Sequence, residues 1–535
     1  MRKQLSLVLL VLVTLQASSQ EFNFKSVDTW LEKPVLHKVE KTNDSSSAVT
    51  ILDDRKREYK FVGKEFYLYE TNHRIVKILN DKGIEMYNKI YVPFYRGQDV
   101  YSLKARTVLK NGKVIDLPAD KIKEITEEGR LYKIFAMEGV EKEAEIEYTY
   151  SIKKDVSVFG VEVFQTISVP VQRANFTLIS PQNLVFSAKG YNGFKVSKDS
   201  VIDGVRIIVG YSDNLEAIDD EKYSLKDKYY QRVDYKLSYN LLGKADVRLY
   251  TWKDFAKNVY NSYTTLSSKE EKAVENLVKK MDVNNSEADA KKILQIEDYL
   301  KKNFNADEKI TGEDAENLEK VIKTKNTNRS GIVKLFLAVF DKLEIPYQIV
   351  YPTDRSDFAL DEELENYRMV EEVLIYFPKT KKFIAPFSVD YRYPFVPPYL
   401  AGARGLFLKT TTIGSLKTAI GAFGEVAMEP FEKHAHNMEV VMKLDDKLEN
   451  VIIDSKQILL GYGAAEYRPI YNFLPKDKQD ENTKEIVKSI AKTDDIKNIK
   501  VENSDLNDIF DNKPLIISAT LTTPDLIEKL AINCL

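Results

Sequence analysis

Residues 143–150, Glu143-Ala144-Glu145-Ile146-Glu147-Tyr148-Thr149-Tyr150, alternate residue by residue. Ala144, Ile146, Tyr148 and Tyr150 fall on one side, and Glu143, Glu145 and Glu147 on the other. A period of two is that of a β-strand, and the pattern predicts one buried and one solvated face. Outward from this stretch, residues 64–70, 161–171 and 235–239 also read as strands. Asn111-Gly112 and Tyr191-Asn192-Gly193 read as turns between them. Many aromatic strands with turn punctuation predict an antiparallel β-sandwich over residues 20–245.

The pattern changes near residue 250. Ser268-Lys269-Glu270-Glu271 has the form of a capping box, followed by Val274, Leu277, Val278 and Met281 at helical spacing. Ser286 is expected to open a second helix, with Ala290, Ile293, Leu300 and Phe304 on one stripe. A third helix, predicted over 331–343, is apolar almost all round, from Ile332 to Phe340, which implies burial on most sides. Ile345-Pro346 ends it, and strands are expected at 348–351, 373–377 and 381–386. This predicts an α+β domain over 246–410. A C-terminal β-rich domain, 411–535, is expected from strands at 439–444, 451–460 and 515–522 and a helix at 484–491.

With 535 residues, a prior of roughly 150 per domain also suggests a multi-domain chain. Lys and Arg number 79 against 82 Asp and Glu, a net charge of −3, so no electrostatic footprint for nucleic acid exists. One cysteine, Cys534, excludes an internal disulfide and a cysteine zinc cluster. Four histidines, His37, His73, His434 and His436, limit imidazole chemistry from the outset. The N-terminus reads Met1-Arg2-Lys3, an apolar run over 5–15, then Ala17-Ser18-Ser19-Gln20. That is the form of a signal peptide over 1–19, too short to span a bilayer comfortably. No later segment reads as a transmembrane helix, so an extracytoplasmic chain, periplasmic or secreted, is expected. The final Ala531-Ile532-Asn533-Cys534-Leu535 stops without an end signal, which leaves room for further C-terminal sequence.

Two stretches carry a family resemblance. Tyr101-Ser102-Leu103-Lys104-Ala105-Arg106-Thr107, then Asn111-Gly112-Lys113-Val114, then the strand ending at Tyr150, resemble a domain of unknown function that precedes transglutaminase-like domains in exported bacterial proteins. The helical region leading into residues 335–346, with the strands after it, resembles the transglutaminase-like core, a relative of the papain fold. The resemblance implies a Cys at the N-terminus of the buried helix, where the dipole favours thiolate, a His on a following strand and an Asp on the next. Aligned on Ala338 and Ile345-Pro346, the Cys position falls at Arg329, with Ser330 one residue on. The His position falls at Glu371 or Glu372, and the Asp position at Ala385. None of the three residue types is present, and no His lies between His73 and His434. The resemblance therefore implies an inactive domain, a pseudoenzyme that binds or scaffolds in the cell envelope and needs no cofactor. The alternative is a hydrolase or transamidase with a relocated site.

Ser330 reads as a helix N-cap unless a base reaches it. Arg329 is disfavoured at a helix N-terminus unless an anion sits nearby, and Glu371 or Glu372 supplies one; otherwise it points to solvent. The aromatic and proline-rich loop over 386–400 is the candidate binding element. Tyr391, Tyr393, Phe395 and Tyr399 would stack on a glycan or pack against a peptide or envelope protein, with Asp390 and Arg392 as polar handles; otherwise these aromatics lid the core. His434, His436 and Glu432 fall short of a metal site, which needs three well-placed ligands. Asp53-Asp54 and Asp219-Asp220-Glu221 read as solvated turns.

Overall fold

The computed structural model describes residues 30–39, 46–243, 247–284, 286–370, 372–413 and 416–528. The expected signal peptide, Cys534 and Glu371 lie outside them. Among the described residues no helix is long and apolar enough to cross a membrane. The chain is multi-domain and strand-rich. It divides into two compact units, Met1–Asp220 with Tyr230–Val247, and Glu221–Tyr229 with Arg248–Leu535.

The first unit is built on a nine-stranded sheet. Its long strands are β1 (Ala48–Val62), β2 (Glu65–Ile78), β3 (Asp99–Val108), β4 (Glu145–Asp155), β5 (Val171–Pro181) and β6 (Val205–Leu215). They lie in the order β6-β5-β1-β2-β4-β3. The expected all-antiparallel pairing fails at one place, because β1 and β5 are parallel, with Asp53 beside Ala174 and Arg57 beside Leu178. The predicted strand over 161–171 is two strands: Phe159–Val163 ends before a coil, and β5 starts at Val171. Phe159–Val163 instead pairs with β7 (Arg232–Asn240), the middle strand of a separate three-stranded sheet.

The strand that opened the reading is β4, and its period is as expected: Ile146 and Tyr148 are buried in an apolar cluster with Val76, Ile78 and Phe135. The solvated face is not. Glu145 and Glu147 are buried, because residues 30–39 lie over that face. The His37 backbone N–H donates to Glu145 at 2.7 Å, and the His37 ring and Lys77 meet the same carboxylate at 2.8 and 3.2 Å. Glu147 meets the His73 ring at 2.9 Å and Arg106 Nε at 2.6 Å, with Trp30 stacked 4.1 Å over the Arg106 guanidinium. Each buried charge has an opposite charge or a polar ring against it, which is what makes its burial tolerable. Asp53, read as a turn residue, is likewise buried within β1, between Arg55 and Arg74 at 2.9 Å each. Burial pushes its pKa up, but the two guanidiniums outweigh that and hold it well below the usual carboxylate range. Asp219 and Asp220 are exposed.

The second unit packs helices on a five-stranded antiparallel sheet. The helices are α1 (Trp252–Thr264), α2 (Ser268–Met281), α3 (Asp289–Asn303), α4 (Leu318–Thr324) and α5 (Arg329–Lys342). The strands are β8 (Gln348–Pro352), β9 (Leu374–Phe377), β10 (Lys382–Ile384), β11 (Arg404–Ile413) and β12 (Leu416–Glu425), in the order β10-β9-β8-β11-β12. The apolar α5 is the centre of this core, with every residue from Leu335 to Phe340 buried. The α2 capping box is one residue earlier than expected: Ser267 caps and Glu270 reciprocates. Ser286 does not open α3, whose N-cap is Ala288; its hydroxyl donates to Asn284. The expected domain boundary at 410/411 falls inside β11, which is paired with β12 along its length.

A four-stranded antiparallel sheet completes this unit. Its strands are β13 (Ala435–Leu444), β14 (Val451–Leu460), β15 (Ile496–Glu502) and β16 (Leu515–Thr523), in the order β13-β14-β16-β15. The helix expected at 484–491 is α6 (Lys476–Lys488); Pro475 starts it eight residues earlier, ahead of a polar first half that carries no apolar stripe.

Candidate functional site

The N-terminus of α5 is shaped by three short-range constraints. Asn328 is the N-cap, and its side chain accepts from the Gly331 N–H at 2.8 Å, so Ser330 is not the cap. Gly331 has to be glycine: a Cβ there would meet Thr327 Oγ1 at 2.1 Å and the Ala315 carbonyl at 2.3 Å. A two-residue parallel pairing of Asn305–Ala306 with Asn326–Thr327 then brings Glu308 beside the helix start.

Arg329, the first residue of α5, extends over the Phe387 ring at 4.5 Å. Its guanidinium meets Glu372 at 2.5 Å and also pairs with Glu308. Burial acts to lower its pKa, and the two carboxylates reverse that and raise it. The cation at the positive end of the helix is thus neutralised by two anions. Tyr399, 41 % exposed, stands beside the same pair. Burial, with Glu372 adding to it, pushes the Tyr399 phenol up. Ser330 stands near the Tyr263 hydroxyl, which accepts from Tyr351 at 3.3 Å. Burial pushes both phenols up, so neither is a base at neutral pH. Ala385 is buried between β10 and the loop, in a cluster with Val396 and Leu400.

The structure therefore brings Arg329, Glu372 and Tyr399 together, puts Ser330 next to them and leaves Ala385 inside. The rest of the 386–400 loop goes elsewhere. Arg392, Tyr393 and Phe395 are buried and have no surface to offer a ligand. Arg392 was read as a polar handle; its Nη1 instead donates to the Glu297 carbonyl at 3.3 Å. Beneath it Lys301 donates to Glu297 and to the Tyr391 carbonyl, each at 2.7 Å, and the Tyr393 N–H donates to Glu297 at 2.7 Å. Tyr393 stacks on Phe510, and Tyr391 and Phe395 pack on Tyr462. The loop is tied down by a buried ion pair and aromatic contacts, and of the four aromatics and Arg392 read as binding only Tyr399 is exposed. His434 and His436 have separate partners: His434 stacks on Tyr462 and accepts its backbone N–H at 3.2 Å, while His436 meets Gln457.

Sequence reasoning missed Glu308, Tyr263 and Tyr351. Tyr263 had a signal, as an aromatic on the buried stripe of α1. Glu308 had none, since a two-residue strand pairing has no periodicity to detect.

Residues 68–219 match the family model of a domain of unknown function with solved structure, DUF3857. That match covers the sheet from β2 to β6 and stops before β7. Among solved structures, the chain is similar to one from Parabacteroides distasonis described as a "putative protease". The identity is 11%, the TM-score 0.50, and the likeness covers 88% of this chain and 99% of that one. At that identity the likeness is one of fold. No curated protein matches the chain.

Proposed function

We propose that this chain is an exported binding or scaffolding protein of transglutaminase-like descent, in which the site at the start of α5 recognises a peptide or glycan of the cell envelope instead of cutting or joining one. The observation that carries the reading is the Arg329–Glu372 pair. On the alignment by Ala338 and Ile345-Pro346, these are the positions to which the resemblance assigns a thiolate and an imidazole, with Ala385 at the third; the pair meets at 2.5 Å and Ala385 is buried. An Arg–Glu pair lacks the thiolate and the imidazole on which acyl transfer in such a core depends. What remains is a surface of Tyr399, the Phe387 face and a guanidinium fixed by two carboxylates, suited to stacking and hydrogen bonding.

The alternative, a hydrolase or transamidase with a relocated site, is favoured by the description of the Parabacteroides distasonis structure and would centre on Ser330. Its difficulty is the base, because the hydroxyl beside Ser330 is a phenol that burial keeps protonated.

The purified protein is incubated with amide and ester substrates and, separately, titrated by calorimetry with soluble peptidoglycan fragments and envelope peptides. Saturable binding weakened about tenfold or more in Arg329→Met and in Tyr399→Ala, with no turnover, is the expected result. Turnover abolished by Ser330→Ala would establish the hydrolase. Fractionation of cells places the protein outside the cytoplasm if the export reading is right.

A further inference from the structure

The strand β13 is an edge. It pairs with β14 on one side only, in unbroken register from Ala435–Leu460 to Leu444–Val451, and its other side has no partner among the described residues. Every described side chain from His436 to Leu444 is exposed. An edge of this kind is usually blunted by charge, proline or a bulge. Here it reads Met438-Glu439-Val440-Val441-Met442-Lys443-Leu444, with no proline and no register shift.

The apolar residues are not scattered. Met438, Val440, Met442 and Leu444 face the same way as Ile453 and Leu459 of β14, because Met442 lies directly opposite Ile453. On β14 that face is covered and buried, with Ala464 and Val487 in the same cluster. On β13 the cover has run out, and Met438, Met442 and Leu444 are 48 %, 58 % and 56 % exposed. An apolar stripe contiguous with a core, bordered by a free row of backbone donors and acceptors, is a surface for another strand.

The charges indicate which strand. We propose that β13 pairs antiparallel with β13 of a second copy of this chain, about a two-fold axis at Val441. That register sets Glu439 opposite the partner's Lys443, and Lys443 opposite the partner's Glu439. On the apolar face it sets Val440 opposite the partner's Met442 and Met438 opposite the partner's Leu444. Centring the axis on Val440 sets Glu439 against Val441 and Lys443 against Asn437, and both ion pairs are lost. Centring it on Met442 sets Glu439 against Asp445, carboxylate against carboxylate. The only two charges within residues 436–444 are thus placed symmetrically about the one centre that satisfies both. The interface is isologous, so it closes at two copies and produces no fibre, and the four-stranded sheet becomes eight-stranded across the axis.

The test uses the complementarity. Sedimentation or light scattering of the purified protein over a wide concentration range is expected to show a concentration-dependent dimer. Glu439→Lys alone sets lysine against lysine, and Lys443→Glu alone sets glutamate against glutamate. Each single variant is expected to weaken the dimer tenfold or more, with an unchanged circular dichroism spectrum. Mixing the two variants restores opposite charges at both positions and is expected to give a heterodimer, and the double variant Glu439→Lys with Lys443→Glu a homodimer. A protein that stays monomeric throughout overturns the proposal, and the edge then belongs to a different partner. A dimer that both single variants leave intact also overturns it, because another surface then holds the copies together.

Discussion

Three glutamates on one short stretch sit in three different environments. Glu143 is half-buried and paired with the exposed Lys110; Glu145 and Glu147 are buried against His37, Lys77, His73 and Arg106. Glu147→Gln leaves Arg106 buried without its counter-charge and is expected to lower stability by about 3–5 kcal/mol. Glu143→Gln removes a surface pair and is expected to cost less than about 1 kcal/mol. Urea unfolding of the two variants side by side reads the difference; equal costs would mean that residues 30–39 do not cover this face in solution. A second residue-scale prediction concerns Lys301. Burial lowers its pKa to about 8 despite the attraction of Glu297, so between pH 8 and 10.5 the unfolded chain binds more protons than the folded one. Stability from this group therefore rises with pH through that window, by up to about 1.4 kcal/mol per unit. The wild type, compared with Lys301→Met, is expected to show the extra rise, and parallel pH profiles would refute it.

At the scale of elements, α5 shows what periodicity conveys and what it omits. Its apolar surround announced a buried helix, and the structure buries it. Its start was not legible, because the cap is decided by Asn328 reaching Gly331, and both serine and asparagine are good caps. The same ambiguity displaced the α2 box from Ser267 to Ser268. In β4 the period was readable but the covering layer was not: alternation says which residues share a face, and a segment over 100 residues away decides whether that face is wet. In the candidate site, Arg329 and Glu372 were legible as a charge and its answer, whereas Glu308 arrives through a contact with no sequence pattern. Three of the loop residues read as binding are inside, since aromatic composition does not distinguish a lid from a platform. Gly331→Ala follows from the same local geometry. Helix propensity alone favours alanine by about 1 kcal/mol, yet the steric conflict with Thr327 and Ala315 is expected to reverse the sign. A Tm above that of the wild type would show that the α5 start has room to relax.

At the scale of the whole molecule, the family match and the folding unit have different limits. Residues 68–219 begin inside β2 and omit β1, which holds β5 on one side and β2 on the other. They also omit β7, the middle of its three-stranded sheet. A fragment 68–219 is expected to lack cooperative unfolding, while 30–247 retains it; circular dichroism melts of the two test this. Cooperative melting of the shorter piece would show that β1 is dispensable.

The division of the chain also has a temporal side. The first unit is interrupted: residues 221–229 belong with the second, and the chain then returns to supply β7. A polypeptide emerging N-terminus first therefore presents β1 long before β5 can meet it, and cannot close its small sheet until residue 240 has cleared the exit. Until then Phe159–Val163 and Leu184–Tyr191, the two strands that flank β7, each lack the partner between them. Vectorial delivery leaves this unit waiting, and a holding chaperone would find its substrate there.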